Sequence, residues 1–242
     1  MHVDIGAALG EGTEPGVDEE MLEQLDKEVA AAHETIAAGR ANGDFGYAAL
    51  NLPAETDSAA ISDATESVAD AEYVITVGIG GSALGAKTVT AALADDPDRH
   101  VILDNVDPEH IERTLDSLPL EDTAINVVSK SGTTAETLAN FLVVRETYED
   151  EGVDWTELTV VTTGESGPLA ELVAEHDLPR LPVPDGVPGR FAALSPVGLV
   201  PAAVLDLDIE GLLDGAGAVA DDLGPSLFDS PAYAYGAVCY AL

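Results

Sequence analysis

AINVVSKSGTTAETLANFL, residues 124–142, is the stretch of sequence that decides the fold class. Its apolar start, Ala124–Val128, is typical of a buried strand, and from Thr134 onward strong helix formers predict a helix packed on a sheet. The turn between them, Ser129–Thr134, contains four hydroxyls, one lysine and one glycine. Hydroxyls and free N–H groups at a helix N-terminus favour an anion such as phosphate. A simple capped turn, with Thr133 or Thr134 as the N-cap, fits the same residues.

Apolar runs of strand length recur on both sides of this stretch and alternate with helical patterns. The predicted strands are 73–77, 100–104, 124–128, 158–163 and 180–183. Their spacing suits crossover connections, so we expect an α/β fold with a parallel, doubly wound sheet and helices on both faces. Ligands of such sheets bind beyond the carboxyl ends of the strands, where the strand order reverses. The loops 78–85 and 129–134 both follow strands and are expected to converge there.

Helical patterns flank the predicted sheet. Asp18 is expected to be the N-cap of a helix that runs to about Ala38 with Gly39 as its stop, and a second helix is expected from 57 to 69. Further helices are predicted at 197–205, at 209–223 and from Pro231 to the end of the sequence. The predicted organisation is an N-terminal helical segment (1–70), a sheet domain (71–184) and a helical segment that begins with a loop (185–242).

The charge balance is extreme, because 46 acidic residues against 9 basic ones give a net charge of −37, while 46% of the residues are hydrophobic. The acids are spread along the chain, which predicts a folded core covered by carboxylates and not a disordered acidic tail. Such a surface repels itself in dilute buffer, and molar salt screens the repulsion. The composition therefore predicts a cytoplasmic protein of an extreme halophile. A partner-binding acidic surface would instead gather its acids on one side.

Several classes of function are disfavoured by the same composition. Nucleic-acid binding needs basic residues on phosphates, and no stretch suggests a membrane span or an export signal. Cys239 is the single cysteine, so no internal disulfide is possible, and the five histidines have no metal-site spacing.

The second glycine-rich loop, GIGGSALG at 78–85, has several interpretations. It partly resembles a dinucleotide fingerprint, but Ala83 stands where the third glycine would be, so NAD binding is weakly supported. The loop could also let the backbone approach a small ligand, with Ser82 offering a hydroxyl. Close packing of helix on sheet accounts for the glycines alone.

The few basic residues and one acid near these loops also have two interpretations each. In a chain with three lysines, Lys130 and Lys87 beside the glycine-containing loops are less typical of ordinary surface charge. Arg190, between Gly189 and Phe191, is favoured as a functional charge over a solvated one. Glu136 could act near the 129–134 loop, but an ordinary first-turn acid is the slightly favoured interpretation.

Four stretches in this order together resemble the bacterial-type glucose-6-phosphate isomerase family: VGIGGSALGAK (77–87), LDNVDP (103–108), VSKSGTTAETL (128–138) and PGRFAALSPVGL (188–199). The resemblance covers about Tyr73 to the end of the sequence. It implies a flavodoxin-like sugar isomerase (SIS) domain with a five-stranded parallel sheet. The family has two SIS domains, so the C-terminal helices are expected to lead to a second one that is absent here.

The resemblance also implies roles for individual residues. Phosphate would be bound by Ser129, Ser131, Thr133 and Thr134, with Lys130 adjacent; the sugar would border Gly81, Ser82 and Ala83; Arg190 would face the enediolate, and Glu136 would lie at the edge of the site. One departure is Ala192, where the family usually has serine, so a hydroxyl is lost beside Arg190.

The implied reaction is the isomerisation of glucose 6-phosphate to fructose 6-phosphate through an enediolate, a step of glycolysis and gluconeogenesis that needs no metal or cofactor. The family's base glutamate, ring-opening histidine and late lysine belong to the second domain, so this chain is expected to be an inactive N-terminal half of a homodimeric enzyme. Two alternatives stay open: a related hexose or mannose phosphate isomerase, and a stand-alone SIS module that binds a sugar phosphate and regulates another process.

Overall fold

A five-stranded parallel sheet forms the centre of the computed structural model, which describes residues 3–10 and 16–242. The strands are β1 (Tyr73–Val77), β2 (His100–Leu103), β3 (Thr123–Ser129), β4 (Thr159–Thr163) and β5 (Arg180–Leu181). Their order is β2-β1-β3-β4-β5, and every neighbouring pair is parallel. This confirms the predicted flavodoxin-like sheet. The strand order reverses between β1 and β3, which makes that boundary the expected ligand site.

Helices cover both faces of the sheet. They are α1 (Glu19–Asn42), α2 (Leu52–Glu55), α3 (Ser58–Thr65), α4 (Leu84–Leu93), α5 (Pro108–Asp116), α6 (Ala135–Asp150), α7 (Pro168–His176), α8 (Pro196–Val204), α9 (Ile209–Asp221) and α10 (Pro231–Ala241). In the described part of the chain, no helix is both long and apolar enough to cross a membrane.

The strands are buried on both faces because they are rich in β-branched residues and lie between two helical layers. All seven residues of β3 are buried. On one face of the sheet, Val74, Ala124 and Val160 pack in an apolar cluster with residues of α8 and α3. On the opposite face, the apolar side chains of the strands pack with those of α6. The two clusters are separate because successive side chains along a strand point to opposite faces.

A buried histidine connects the β2 side of the sheet to α4. The two ring nitrogens of His100 each lie 2.8 Å from a threonine hydroxyl, Nε2 from Thr76 and Nδ1 from Thr90. Burial and, to a smaller extent, the positive charge of Lys87 lower the pKa of His100 to about 4. The ring is therefore neutral at pH 7 and belongs to the packing of the sheet.

The end of α1 corrects one expectation. Gly39 does not stop the helix, which continues to Asn42 and ends at Gly43 in the left-handed region, with φ of +66°. Gly39 instead packs against the ring of Tyr47, where an added Cβ would collide with Cδ2. The missing side chain serves a close contact here and not a C-cap. The predicted N-cap is confirmed, because the Asp18 carboxylate accepts a 2.8 Å hydrogen bond from the Met21 N–H.

Two other predicted elements are shorter than expected. The helix predicted at 57–69 ends as α3 at Thr65 and continues as a 3₁₀ turn, Glu66–Val68. Strand β5 has only two residues, because Pro182 has no N–H to donate to the ladder. It lies at the edge of the sheet, which is the position that a proline inside a strand predicts.

The N-terminal and C-terminal helices pack against each other. The Asp26 carboxylate accepts hydrogen bonds of 2.8 Å from the Ser226 hydroxyl and the Leu227 N–H. The Arg40 guanidinium donates to the Ala220 carbonyl at 3.0 Å. The division at residues 70 and 184 stays a prediction.

Candidate functional site

Three loops meet at the carboxyl edge of the sheet, where the strand order reverses. We call them the glycine loop (78–83, after β1), the hydroxyl loop (129–134, after β3) and the arginine loop (187–191). An added Cβ on Gly81 would lie 2.5 Å from the Gly189 carbonyl carbon, so the glycine and arginine loops touch through their backbones. An added Cβ on Gly78 would lie 3.2 Å from the carbonyl oxygen of Val128, just before the hydroxyl loop. The expected convergence of the first two loops is thus observed.

The backbone of the hydroxyl loop depends on Gly132. This residue has φ of +64°, and a Cβ there would lie 2.9 Å from the Ser166 carbonyl oxygen. The Gly132 N–H donates to the Ser129 carbonyl at 3.1 Å and closes the turn. Only glycine adopts this conformation in so little space without strain.

The four hydroxyls of the loop are close together. Ser129 Oγ lies 3.1 Å from Thr134 Oγ1, and the Thr133 hydroxyl donates to Ser131 Oγ at 3.0 Å. Thr134 is the N-cap residue of α6, yet its side chain does not accept a hydrogen bond from the helix. The simple capped turn is therefore not formed, and the first-turn N–H groups of α6 have no side-chain acceptor.

The starts of the other helices make this feature informative. Within the described residues, six helices of eight or more residues begin with a side-chain cap: Asp18, Asp57, Asp107, Ser195, Asp208 and Ser230. Helix α7 begins after a glycine and has no cap, and neither do α4 and α6, which both begin at the reversal point. Two N-termini with partial positive charge therefore face the same crevice, which favours an anion.

Both cations of the site belong to the converging loops. Lys130 Nζ donates to the Val187 carbonyl at 3.0 Å, so it ties the hydroxyl loop to the arginine loop. An ammonium has three N–H groups, and this bond uses one of them. The exposed Arg190 guanidinium lies 4.8 Å from the centroid of the Phe191 ring. Neither cation forms an ion pair within the described ranges 3–10 and 16–242.

The end of β4, the start of α7 and the loop between them support the hydroxyl loop from the other side. The Thr163 hydroxyl donates to the Ser129 carbonyl at 2.7 Å, and the Leu169 N–H donates to the Gly132 carbonyl at 3.2 Å. Gly167, with φ of +100°, allows this approach, since its Cβ would lie 3.1 Å from the Ser131 carbonyl oxygen. Sequence reasoning missed these supporting residues, and the Gly-Pro pair at 167–168 was their only local signal.

A comparison with protein families gives a match that spans these loops. The family model of phosphoglucose isomerase matches residues 58–228, which include all three loops. The chain belongs to the phosphoglucose isomerase family.

Similar sequences agree with this assignment. A probable glucose-6-phosphate isomerase of Haloarcula marismortui is 71% identical over all of this chain and 56% of its own length. The corresponding protein of Natronomonas pharaonis is 59% identical with the same coverage. The chain thus spans a little over half the length of these curated relatives. Their halophilic sources agree with its acidic composition.

Solved structures support the fold. A hypothetical protein from Thermus thermophilus is 36% identical with a TM-score of 0.75, over 84% of this chain and 50% of that one. A glucose-6-phosphate isomerase from Chlamydia trachomatis has a TM-score of 0.74 at 24% identity, over 92% of this chain and 50% of that one, and shows the same fold.

The remaining predicted positions lie around the crevice. Gly81 and Ser82 are half-buried, and Ala83 is buried at the start of α4. Glu136 is exposed in the first turn of α6. Ala192 is buried in a cluster with Val128 and other apolar residues, which suits a methyl group better than a hydroxyl. The described residues contain no group of three or more side chains that could hold a metal.

Proposed function

We propose that the chain is the sugar-phosphate-binding half of a glucose-6-phosphate isomerase. The observation that carries this proposal is the convergence of two uncapped helix N-termini with four clustered hydroxyls at the reversal point of the sheet. A phosphate dianion accepts hydrogen bonds from both kinds of group.

The sugar phosphate would lie across the crevice from one loop to another. Its phosphate would bind the hydroxyl loop through Ser129, Ser131, Thr133 and Thr134, near the Lys130 ammonium. Its sugar would follow the glycine loop beside Gly81, Ser82 and Ala83. The guanidinium of Arg190 would stabilise the oxyanion of the enediolate that forms when the C2 proton is removed.

The base for that proton is proposed to lie in the part of the relatives that this chain does not span. Glu136 is a poor substitute, because it is an exposed first-turn acid of α6. Positioned proton transfer contributes about 10²–10⁴ to a rate, and a half-open crevice also loses orientation and exclusion of water. We therefore expect binding without significant turnover. A cytoplasmic location and a homodimeric full-length protein stay predictions.

The test is a calorimetric titration of glucose 6-phosphate into the chain in molar KCl, beside a coupled isomerase assay. Saturable binding of glucose 6-phosphate, none of glucose, and no turnover are expected. Normal turnover would show that the chain contains its own base. No binding of the phosphate ester would refute the proposed site. In the full-length protein, preference for mannose 6-phosphate would favour the related-isomerase alternative.

A further inference from the structure

One buried hydroxyl next to the hydroxyl loop has no partner. The Thr137 side chain is 1% exposed, and its Oγ1 forms no hydrogen bond with any described residue. Most threonines inside the helices donate to a carbonyl one turn earlier, namely Thr35, Thr65, Thr88, Thr90 and Thr147. A buried, unpaired hydroxyl disfavours folding, so its presence needs a reason.

The position of Thr137 on α6 puts this hydroxyl at the reversal point of the sheet. Thr137 is the third residue of the helix, and helical side chains lean toward the N-terminus. From this position the acid of a capping box reaches back to the N-cap residue. The Thr137 hydroxyl is therefore on the level of Thr134 and the uncapped first-turn N–H groups.

The stripe to which Thr137 belongs gives its direction. Phe141 and Val144 follow it by four and seven residues on the same helix face, and both are buried in the cluster that contains Val77 and Val127. Those two residues lie at or near the carboxyl ends of β1 and β3. Since Thr137 is one turn nearer the helix start than Phe141, it lies above these strand ends, at the floor of the crevice.

We propose that the Thr137 hydroxyl is a further phosphate-binding group, which donates a hydrogen bond to an oxygen of the bound phosphate from beneath the hydroxyl loop. This inference rests on the proposed sugar-phosphate site. It accounts for a polar group that is buried without a partner in the protein alone. The same hydroxyl weakens the ligand-free fold and strengthens the complex.

The test compares three variants of the 242-residue chain in molar KCl by titration with inorganic phosphate and with glucose 6-phosphate, and by thermal unfolding. Thr137→Val keeps the shape and removes the hydroxyl, while Thr137→Ser keeps the hydroxyl. Thr162→Val is the matched control, because Thr162 is also buried with an unpaired hydroxyl but lies on β4, within the sheet.

The expected result separates binding from stability. Thr137→Val should bind both ligands about tenfold more weakly, as for one lost hydrogen bond to a charged group, and should melt at the parent temperature or above. Thr137→Ser should keep the parent Kd within about twofold, and Thr162→Val should match the stability effect without a change in Kd.

Two results would overturn the inference, and they differ. If the parent binds phosphate and Thr137→Val binds it equally well, the hydroxyl is not a ligand-binding group, and the proposed function still stands. If the parent binds neither ligand, the proposed function fails and this inference fails with it.

Discussion

Two strand-to-helix turns at the same edge of the sheet have opposite designs. After β2, Asp107 caps α5 and accepts a hydrogen bond from the His110 N–H at 3.2 Å, with Pro108 as the first helical residue. After β3, Thr134 begins α6 without a side-chain cap. The turn before α5 supplies its own carboxylate cap, while the turn before α6 has hydroxyls and N–H groups but no carboxylate cap.

The difference gives a chain with a net charge of −37 a way to present the proposed anion site. Acidic caps stabilise helices, and this chain uses them at α1, α3, α5 and α9. At the reversal point such a cap would repel a phosphate. The absence of a carboxylate cap at α6 is therefore as informative as the hydroxyls that stand in its place.

Removal of salt should have the largest effect on stability, because it acts on the carboxylates of the whole fold and therefore on both turns. Carboxylates repel each other over longer distances in dilute buffer, and molar KCl screens them. The melting temperature should rise steeply between dilute and molar KCl, as circular dichroism can measure. A melting temperature indifferent to KCl would contradict the halophilic interpretation of the charge.

An acidic cap placed in the turn before α6, like the one in the turn before α5, should abolish the proposed anion site. In Thr134→Asp, the new carboxylate would accept hydrogen bonds from the first-turn N–H groups of α6. It would also repel phosphate, which costs several kcal/mol of binding free energy. We expect phosphate binding to fall by about two to three orders of magnitude, with stability unchanged or higher. Thr134→Ser is the control and should bind. Retained binding by Thr134→Asp would show that phosphate does not use this helix start.

Acid should lower the free energy of unfolding through His100, which lies on the β2 side of the sheet. Its folded pKa is about 4, below the unfolded value of 6.5, so the unfolded chain binds more protons between these values. Stability is therefore lost as the pH falls from 6.5 to 4, by roughly 3 kcal/mol in total. Denaturant titrations of the parent and of His100→Gln should differ in slope within this window. Equal slopes would mean that His100 titrates normally in the fold.

Substitution of Gly132 by alanine should distort only the hydroxyl loop before α6. Gly132→Ala combines a positive φ with an oxygen 2.9 Å from the new Cβ, whereas Gly43→Ala has a similar φ and open space. We expect the free energy of unfolding to fall by about 2 kcal/mol or more in Gly132→Ala and by about 1 kcal/mol in Gly43→Ala. Only Gly132→Ala should weaken phosphate binding, about tenfold. Equal effects of the two variants on binding would contradict a specific role for the loop conformation.

Loss of the Asp107 cap in the turn before α5 should have the smallest effect. Asp107→Ala should lower the free energy of unfolding by about 1 kcal/mol, because the His110 N–H loses its acceptor. Phosphate affinity should stay within about twofold of the parent. A large change in affinity would mean that the two turns are coupled.

Much of the fold could be predicted because each strand is a short apolar run bounded by a turn. Parallel strands place their carboxyl ends together, so the meeting of the glycine and hydroxyl loops followed from the alternation alone. The stop of α1 could not be predicted, because Gly39 and Gly43 are equally good local signals. The choice between them depends on Tyr47, which packs on Gly39.

The site was predictable in composition but not in geometry. Thr134 is an ordinary N-cap residue by type, and only the folded chain turns its hydroxyl toward Ser129. The arrival of the arginine loop at Gly81 depends on the packing of α8 against α4, which no local pattern encodes. The Thr137 hydroxyl carries no signal in the sequence, since most helical threonines satisfy themselves.

The backbone contact between Gly81 and Gly189 also sets an order of events during synthesis. The two residues are 108 positions apart in the sequence, so the ribosome, at about 5–20 residues per second, adds the second roughly 5–20 seconds after the first. During about the second half of that interval the hydroxyl loop has been made without its neighbour, and Lys130 cannot yet reach the Val187 carbonyl. The nascent chain thus has the proposed phosphate-binding elements before the crevice is closed on its third side.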